Sequence, residues 1–150
     1  MAIHGIGVDL VRTARLGKSY ASYGDRFLKR YLHPKEIAHF HRLLADTSSQ
    51  GLVNQTQWAV KEATLKAFQS WRIPFPDVYI DKVPAAIPAV VASISELPPR
   101  TKAPVVPVLA FDGATKTLAD SLSIHRAHVS ISHDGDYTLA HVVLESASSS

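Results

Sequence analysis

The chain has 150 residues, enough for one domain with a real core and too few for two ordinary ones. With 46% hydrophobic and 19% charged residues it holds enough apolar surface to fold, and the absence of cysteine excludes disulfide frameworks, zinc ribbons, thiol nucleophiles and redox pairs. The net charge of +3 hides an asymmetry: residues 1–42 carry eight basic and three acidic side chains (+5) and the remainder is −2, so an anionic partner is expected at the front.

The opening MAIHGIGVDLV lacks the basic head, long apolar core and cleavage site of a secretory signal and reads as a first strand. No apolar run approaches the roughly 20 residues needed to cross a bilayer. From Ile3 to Val11, Ile6, Val8 and Leu10 alternate with Gly5, Gly7 and Asp9, which places a carboxylate on a face where glycine permits close approach. From Thr13 to Tyr31, Leu16, Tyr20, Tyr23, Phe27 and Tyr31 form a helical stripe with a break expected at Gly24. Arg12, Arg15, Lys18, Arg26, Lys29 and Arg30 fall largely opposite, as either a solvated face or a docking surface.

His33-Pro34 opens a further helix with proline at its first position and an acidic first turn, and residues 46–51, DTSSQG, read as a loop. The helix expected over about Asn54 to Trp71 is apolar around most of its circumference, the mark of a central buried helix. It nevertheless carries Lys61, Glu62 and Lys66, and charges are seldom buried unless paired or used. Glu62 and Lys66 have the i,i+4 spacing of an ordinary surface salt bridge.

DVYIDKV reads as a strand, the Pro- and Ala-rich stretch 84–104 as an irregular excursion, and Val105 to Phe111 as a strand edged by Pro107. GATKTLADSLSI has helical spacing. His128 to His133, the turn at Asp134-Gly135 and Tyr137 to Glu145 form a hairpin with His133 beside the turn, and SASSS is a polar tail.

The chemical candidates are thus a strand carboxylate, a carboxylate and lysine on a buried helix, and a hairpin histidine. Two carboxylates from separate elements suit a hard cation such as Mg2+, which completes its shell with water and substrate phosphates, and a nearby lysine would offset phosphate charge. No Gly-x-x-x-x-Gly-Lys loop is present. The pairs His39-x-His41 and His125-x-x-His128 are weak zinc candidates, the first pointing to different faces of a helix.

The segments GIGVDLVRTARL, FLKRYLHPKE, WAVKEATLKAF and VSISHDGDYTLAHVVLE, in this order, resemble the holo-acyl-carrier-protein synthase family of 4′-phosphopantetheinyl transferases. The resemblance covers about residues 3–80 and 105–145. It implies an α+β fold with a small antiparallel sheet packed on the long central helix, one domain over 1–145 with an insertion at 84–104, and a 146–150 tail. It also implies assembly as a homotrimer with active sites between subunits.

The implied activity moves the phosphopantetheine arm of coenzyme A to a serine of an acidic acyl carrier protein with Mg2+, releasing adenosine 3′,5′-bisphosphate. Asp9 and Glu62 match the metal-binding carboxylates, Lys66 the lysine near the phosphates, and Glu62 is also implied as the acceptor of the serine proton. His133 matches a coenzyme A contact, while Arg15, Lys18 and Arg26 correspond to the carrier-binding helix.

The chain departs from the family pattern at Arg12, at Gln57, where an arginine is usual, and at residues 69–72, where a glycine turn is usual. Lys61 and Arg72 are the expected compensating contacts to coenzyme A. The alternative is an impaired relative that binds carrier or coenzyme A without transfer. No nucleic-acid motif accompanies the basic helix. A cytoplasmic location is expected, with the mitochondrial matrix as the alternative.

Overall fold

In the computed structural model, which describes residues 1–43, 47–69, 72–86, 88–94 and 104–147, the elements follow in the order β1 (Ala2–Arg12), α1 (Thr13–Tyr23), α2 (Asp25–Tyr31), α3 (Pro34–Arg42) and α4 (Thr47–Ala67). After a 3-10 turn at Phe75–Asp77 come β2 (Val78–Pro84), α5 (Ala89–Ala92), β3 (Val105–Phe111), α6 (Gly113–Ser121), β4 (Ile124–Asp134) and β5 (Tyr137–Ser146). The strands make an antiparallel three-stranded sheet in the order β1-β5-β4 and a separate β2–β3 hairpin. This is the expected α+β architecture, with α4 lying across the inner face of the larger sheet.

Glycine sets how closely that helix lies. A Cβ on Gly7 would stand 1.8 Å from the Ala63 carbonyl oxygen, and one on Gly5 2.0 Å from that of Ala67. Only bare backbone fits there, so β1 presses directly against the small-residue face of α4 at Ala59, Ala63 and Ala67. Along the same strand face the register carries Gly5, Gly7, Asp9 and Val11 opposite Leu144, Val142, Ala140 and Thr138 of β5, all buried. Asp9 is therefore delivered to the flank of α4 by the pleat that buries its neighbours.

A second core joins Leu28, Tyr31, Leu32 and Phe40, with Trp58 packed between Phe27, Tyr31 and Phe75 at centroid distances of 6.2, 5.1 and 5.9 Å. The aromatic stripe of α1 and α2 is thus core, except that Tyr23 is exposed. The chain turns at Gly24, whose φ of +52° suits glycine, and this breaks the stripe just past Tyr23.

Three boundaries differ from the sequence reading. The segment read as a loop from 46 is helical from Thr47, because extending a long nucleated helix gains a hydrogen bond per residue while Ser, Thr and Gln cost only tenths of a kcal/mol each. Helix α4 ends at Ala67, where Gln69 turns left-handed at φ +53°, and Trp71 lies outside the described residues. Strand β4 begins at Ile124 rather than His128, since inward Ala127 and Val129 continue the alternation and pair with β5 as far as Ser146. Within the excursion 84–104, α5 forms a single turn, and residues 87 and 95–103 lie outside the described residues.

Candidate active site

The close seam between β1 and α4 brings Asp9, Glu62 and Lys66 together. The Lys66 ammonium donates to Asp9 Oδ1 at 2.8 Å and to the Val8 carbonyl at 2.8 Å. The expected i,i+4 pair with Glu62 is thereby replaced: β1 offers the lysine a carboxylate and a backbone carbonyl at once, which is better than a helix-surface pair. Glu62 is half-buried and accepts no hydrogen bond among the described residues. Burial, and then the nearby Asp9 charge, push its carboxyl above the ordinary carboxylate range, against the opposing pull of Lys66 and Arg15. Arg15, an exposed residue of α1, thus stands close enough to act on Glu62. Lys18 and Arg26 are exposed on α1 and α2.

Lys61 goes elsewhere. Its side chain is fully buried on the other flank of α4, 2.9 Å from Glu36 Oε2, and it donates to the carbonyls of Phe75 and Val78. Burial pulls its ammonium down and the Glu36 carboxylate works the other way. Glu36 is itself saturated, accepting from the backbone N–H of His33 at 2.9 Å and of Ile80 at 3.3 Å. Lys61 therefore ties α4 to α3 and β2, and the three donors of this expected coenzyme A contact are used within the chain. Sequence spacing carried no sign of this, because Glu36 lies 25 positions away.

His133 stands at the end of β4 and shares a 2.8 Å hydrogen bond with Thr138 across the turn. It lines a half-open groove of about 730 Å³ between α3, α4, β2, β3 and β4. The groove also gathers Lys35, Arg42 and Lys82, none with a carboxylate partner among the described residues, around Gln57, whose Oε1 is buried without a hydrogen bond. The Lys35 ammonium sits over the Tyr79 ring at 4.7 Å, and Asp81 is the exposed carboxylate on the rim. These cations come from separate elements, so no local motif announces them; among the described residues, the uncharged Gln57 is the departure from the family pattern that lines the groove. Arg72 is exposed beyond the end of α4 and does not line the groove. Neither do Asp9, Glu62 or Lys66, so within the chain the carboxylate pair and the His133 groove are separate sites.

A family model described as the 4′-phosphopantetheinyl transferase superfamily matches residues 5–103. The chain is 32% identical over 145 residues to a holo-[acyl-carrier-protein] synthase of Dechloromonas aromatica, covering 97% of this chain and 99% of that one. A similarly named protein of Nitratidesulfovibrio vulgaris is 31% identical, covering 96% and 99%. Among solved structures, the holo-acyl-carrier-protein synthase of Plasmodium yoelii superposes with a TM-score of 0.74 at 22% identity and 98% coverage of both chains. That of Helicobacter pylori, solved in complex with coenzyme A, gives 0.64 at 29% identity, covering 93% and 99%.

Proposed function

The chain belongs to the 4′-phosphopantetheinyl transferase superfamily, as an enzyme of the holo-acyl-carrier-protein synthase type, and we propose that it transfers the 4′-phosphopantetheine arm of coenzyme A to a serine of an acidic apo acyl carrier protein, releasing adenosine 3′,5′-bisphosphate. The observation that carries this reading is the convergence of Asp9, Glu62 and Lys66 at the seam of β1 and α4.

The donor set fits Mg2+: two neighbouring carboxylates from different elements, one without a hydrogen-bond donor among the described residues, at a partly open edge that leaves room for water and phosphate oxygens. Bound there, the metal would draw off the charge that develops as the phosphoanhydride breaks. Lys66, half-exposed on a flexible stem, is free to turn toward the departing phosphate and stabilise or protonate it. Glu62, whose carboxyl burial pushes above the ordinary carboxylate range, is a stronger base than an exposed carboxylate for taking the proton from the carrier serine. Arg15 beside this edge, with Lys18 and Arg26 further along α1 and α2, presents exposed cations for the acidic carrier.

The His133 groove takes the other end of coenzyme A. Its volume suits a nucleotide, its cations, without carboxylate partners among the described residues, suit a phosphate, and a ribose hydroxyl would satisfy Gln57 Oε1. The groove and the carboxylates meet through a neighbouring copy. On the outer face of the sheet Ile6, Val8 and Leu10 are 56, 50 and 60% exposed, with Tyr137 and Leu139 beside them, an apolar patch that a one-sided antiparallel sheet ordinarily makes polar. A ring of three copies covers that face and places one subunit's groove against the next subunit's seam. Among the described residues no helix is long and apolar enough to cross a membrane, and the carrier and coenzyme A of this reading are those of the cytoplasm.

Intact-mass spectrometry of an apo carrier incubated with the protein, coenzyme A and Mg2+ tests the reaction: a gain of one phosphopantetheine is expected. Carriers left unmodified although coenzyme A binds would mark a binding-only relative and contradict transfer.

A further inference from the structure

Lys66 makes both of its described hydrogen bonds to the place where a cation belongs. Its ammonium touches Asp9 Oδ1 and Val8 O at 2.8 Å each, while the carboxylate of Glu62, one helical turn back, has no donor among the described residues. A monovalent cation on a tether thus occupies one of the two carboxylates of the proposed metal pair. The contact is strong enough to order the side chain and weak enough to give up, because the Lys66 side chain is 51% exposed and pairs of that exposure contribute little net stability. Its fully buried counterpart Lys61, with three acceptors fixed around it, has no such freedom.

Resting on the metal-site reading above, we propose that Lys66 is a tethered stand-in for the divalent cation: it neutralises Asp9 in the metal-free protein, is displaced when the metal arrives, and is thereby released toward the phosphate. Two positive charges cannot share Asp9 Oδ1 at contact distance without strong repulsion. Metal binding and phosphate recognition become coupled through one side chain, since each step favours the same swung-out position of Lys66. Metal bound in the absence of coenzyme A is held more weakly than the two carboxylates alone would hold it, because the ammonium competes.

Mn2+ alone, without coenzyme A or carrier, is the probe, its affinity read calorimetrically for the wild type, Lys66→Gln and Asp9→Asn. Lys66→Gln is expected to bind about two- to fivefold tighter than wild type, the range an ion pair of this exposure is worth, and Asp9→Asn is expected to lose the site. In a parallel titration with diamagnetic Mg2+, the Lys66 ammonium nitrogen resonance is expected to move to the position of solvent-exposed lysines. Unchanged or weaker binding by Lys66→Gln overturns the proposal, as does a Lys66 resonance unmoved by saturating Mg2+; if Asp9→Asn still abolishes binding, the metal site itself stands. Binding indifferent to Asp9→Asn, or no binding by either protein, overturns the metal-site reading and this proposal with it. Lys66→Met, which keeps the apolar stem, repeats the comparison should the glutamine disturb folding.

Discussion

The two flanks of α4 each present a lysine facing a carboxylate from another element, and they behave in opposite ways. Lys61 and Lys66 are five residues apart, about 140° around the helix axis. On one flank Lys61 is sealed against Glu36 with every acceptor fixed. On the other, Lys66 is half-exposed on Asp9, and Glu62 beside it lacks a donor among the described residues. A charge that is buried and saturated holds the fold, whereas one that is reachable and only partly satisfied has interaction energy left for a ligand.

Breaking the closed flank has the largest expected effect. Lys61→Ala leaves Glu36 buried without its counter-charge and is expected to cost about 3–5 kcal/mol of stability, measured by urea unfolding. An effect below about 1 kcal/mol would mean the two flanks are alike. On the open flank Asp9→Asn is expected to lower transfer about 10²–10³-fold, the scale of removing one charge-stabilising group from a reacting centre, while stability moves by less than about 1 kcal/mol. Unfolding in step with lost activity would contradict the division.

The remaining predictions sharpen it. Arg42→Ala combined with Lys35→Ala is expected to raise KM for coenzyme A about tenfold, from loss of charged hydrogen bonds, and to leave KM for dephospho-coenzyme A nearly unchanged. An equal effect on both would remove the phosphate from the groove. The last concerns pH: the Glu62 carboxyl is raised, so its charged form is lost as pH falls through a value above the ordinary carboxylate pKa of about 4.3. Mn2+ affinity should therefore decline on acidification at higher pH than it does in Glu62→Asp if the shorter carboxylate is better solvated. Coincident profiles would show that burial of this carboxyl does not govern binding.

Much of the open flank was legible because its determinants are local. Gly5, Gly7 and Asp9 share a strand face by simple alternation, and Glu62 and Lys66 share a helix face by simple spacing. The closed flank was not, since nothing about Lys61 alone distinguishes it from Lys66; Glu36, the Phe75 carbonyl and the Val78 carbonyl are brought to it by α3 and the turn before β2. Its burial converted an expected ligand contact into an internal tie. The groove was legible only through His133 and the departure at Gln57, because Lys35, Arg42 and Lys82 converge by tertiary packing. The helical start at Thr47 escaped notice for another reason: its polar residues carry no apolar period, and helix propagation overrides their weak preferences.

The proposed shared site, in which the seam of one copy works with the groove of the next, is tested most directly by subunit mixing. Asp9→Asn is expected to be nearly inactive alone, and the His133→Ala, Arg42→Ala double variant to be strongly impaired at coenzyme A concentrations below its raised KM. Dissociated, mixed in equal amounts and reassembled, they should recover transfer at about one site in four, the random chance of pairing an intact seam with an intact groove across a ring interface. A mixture no more active than its components would contradict the shared site.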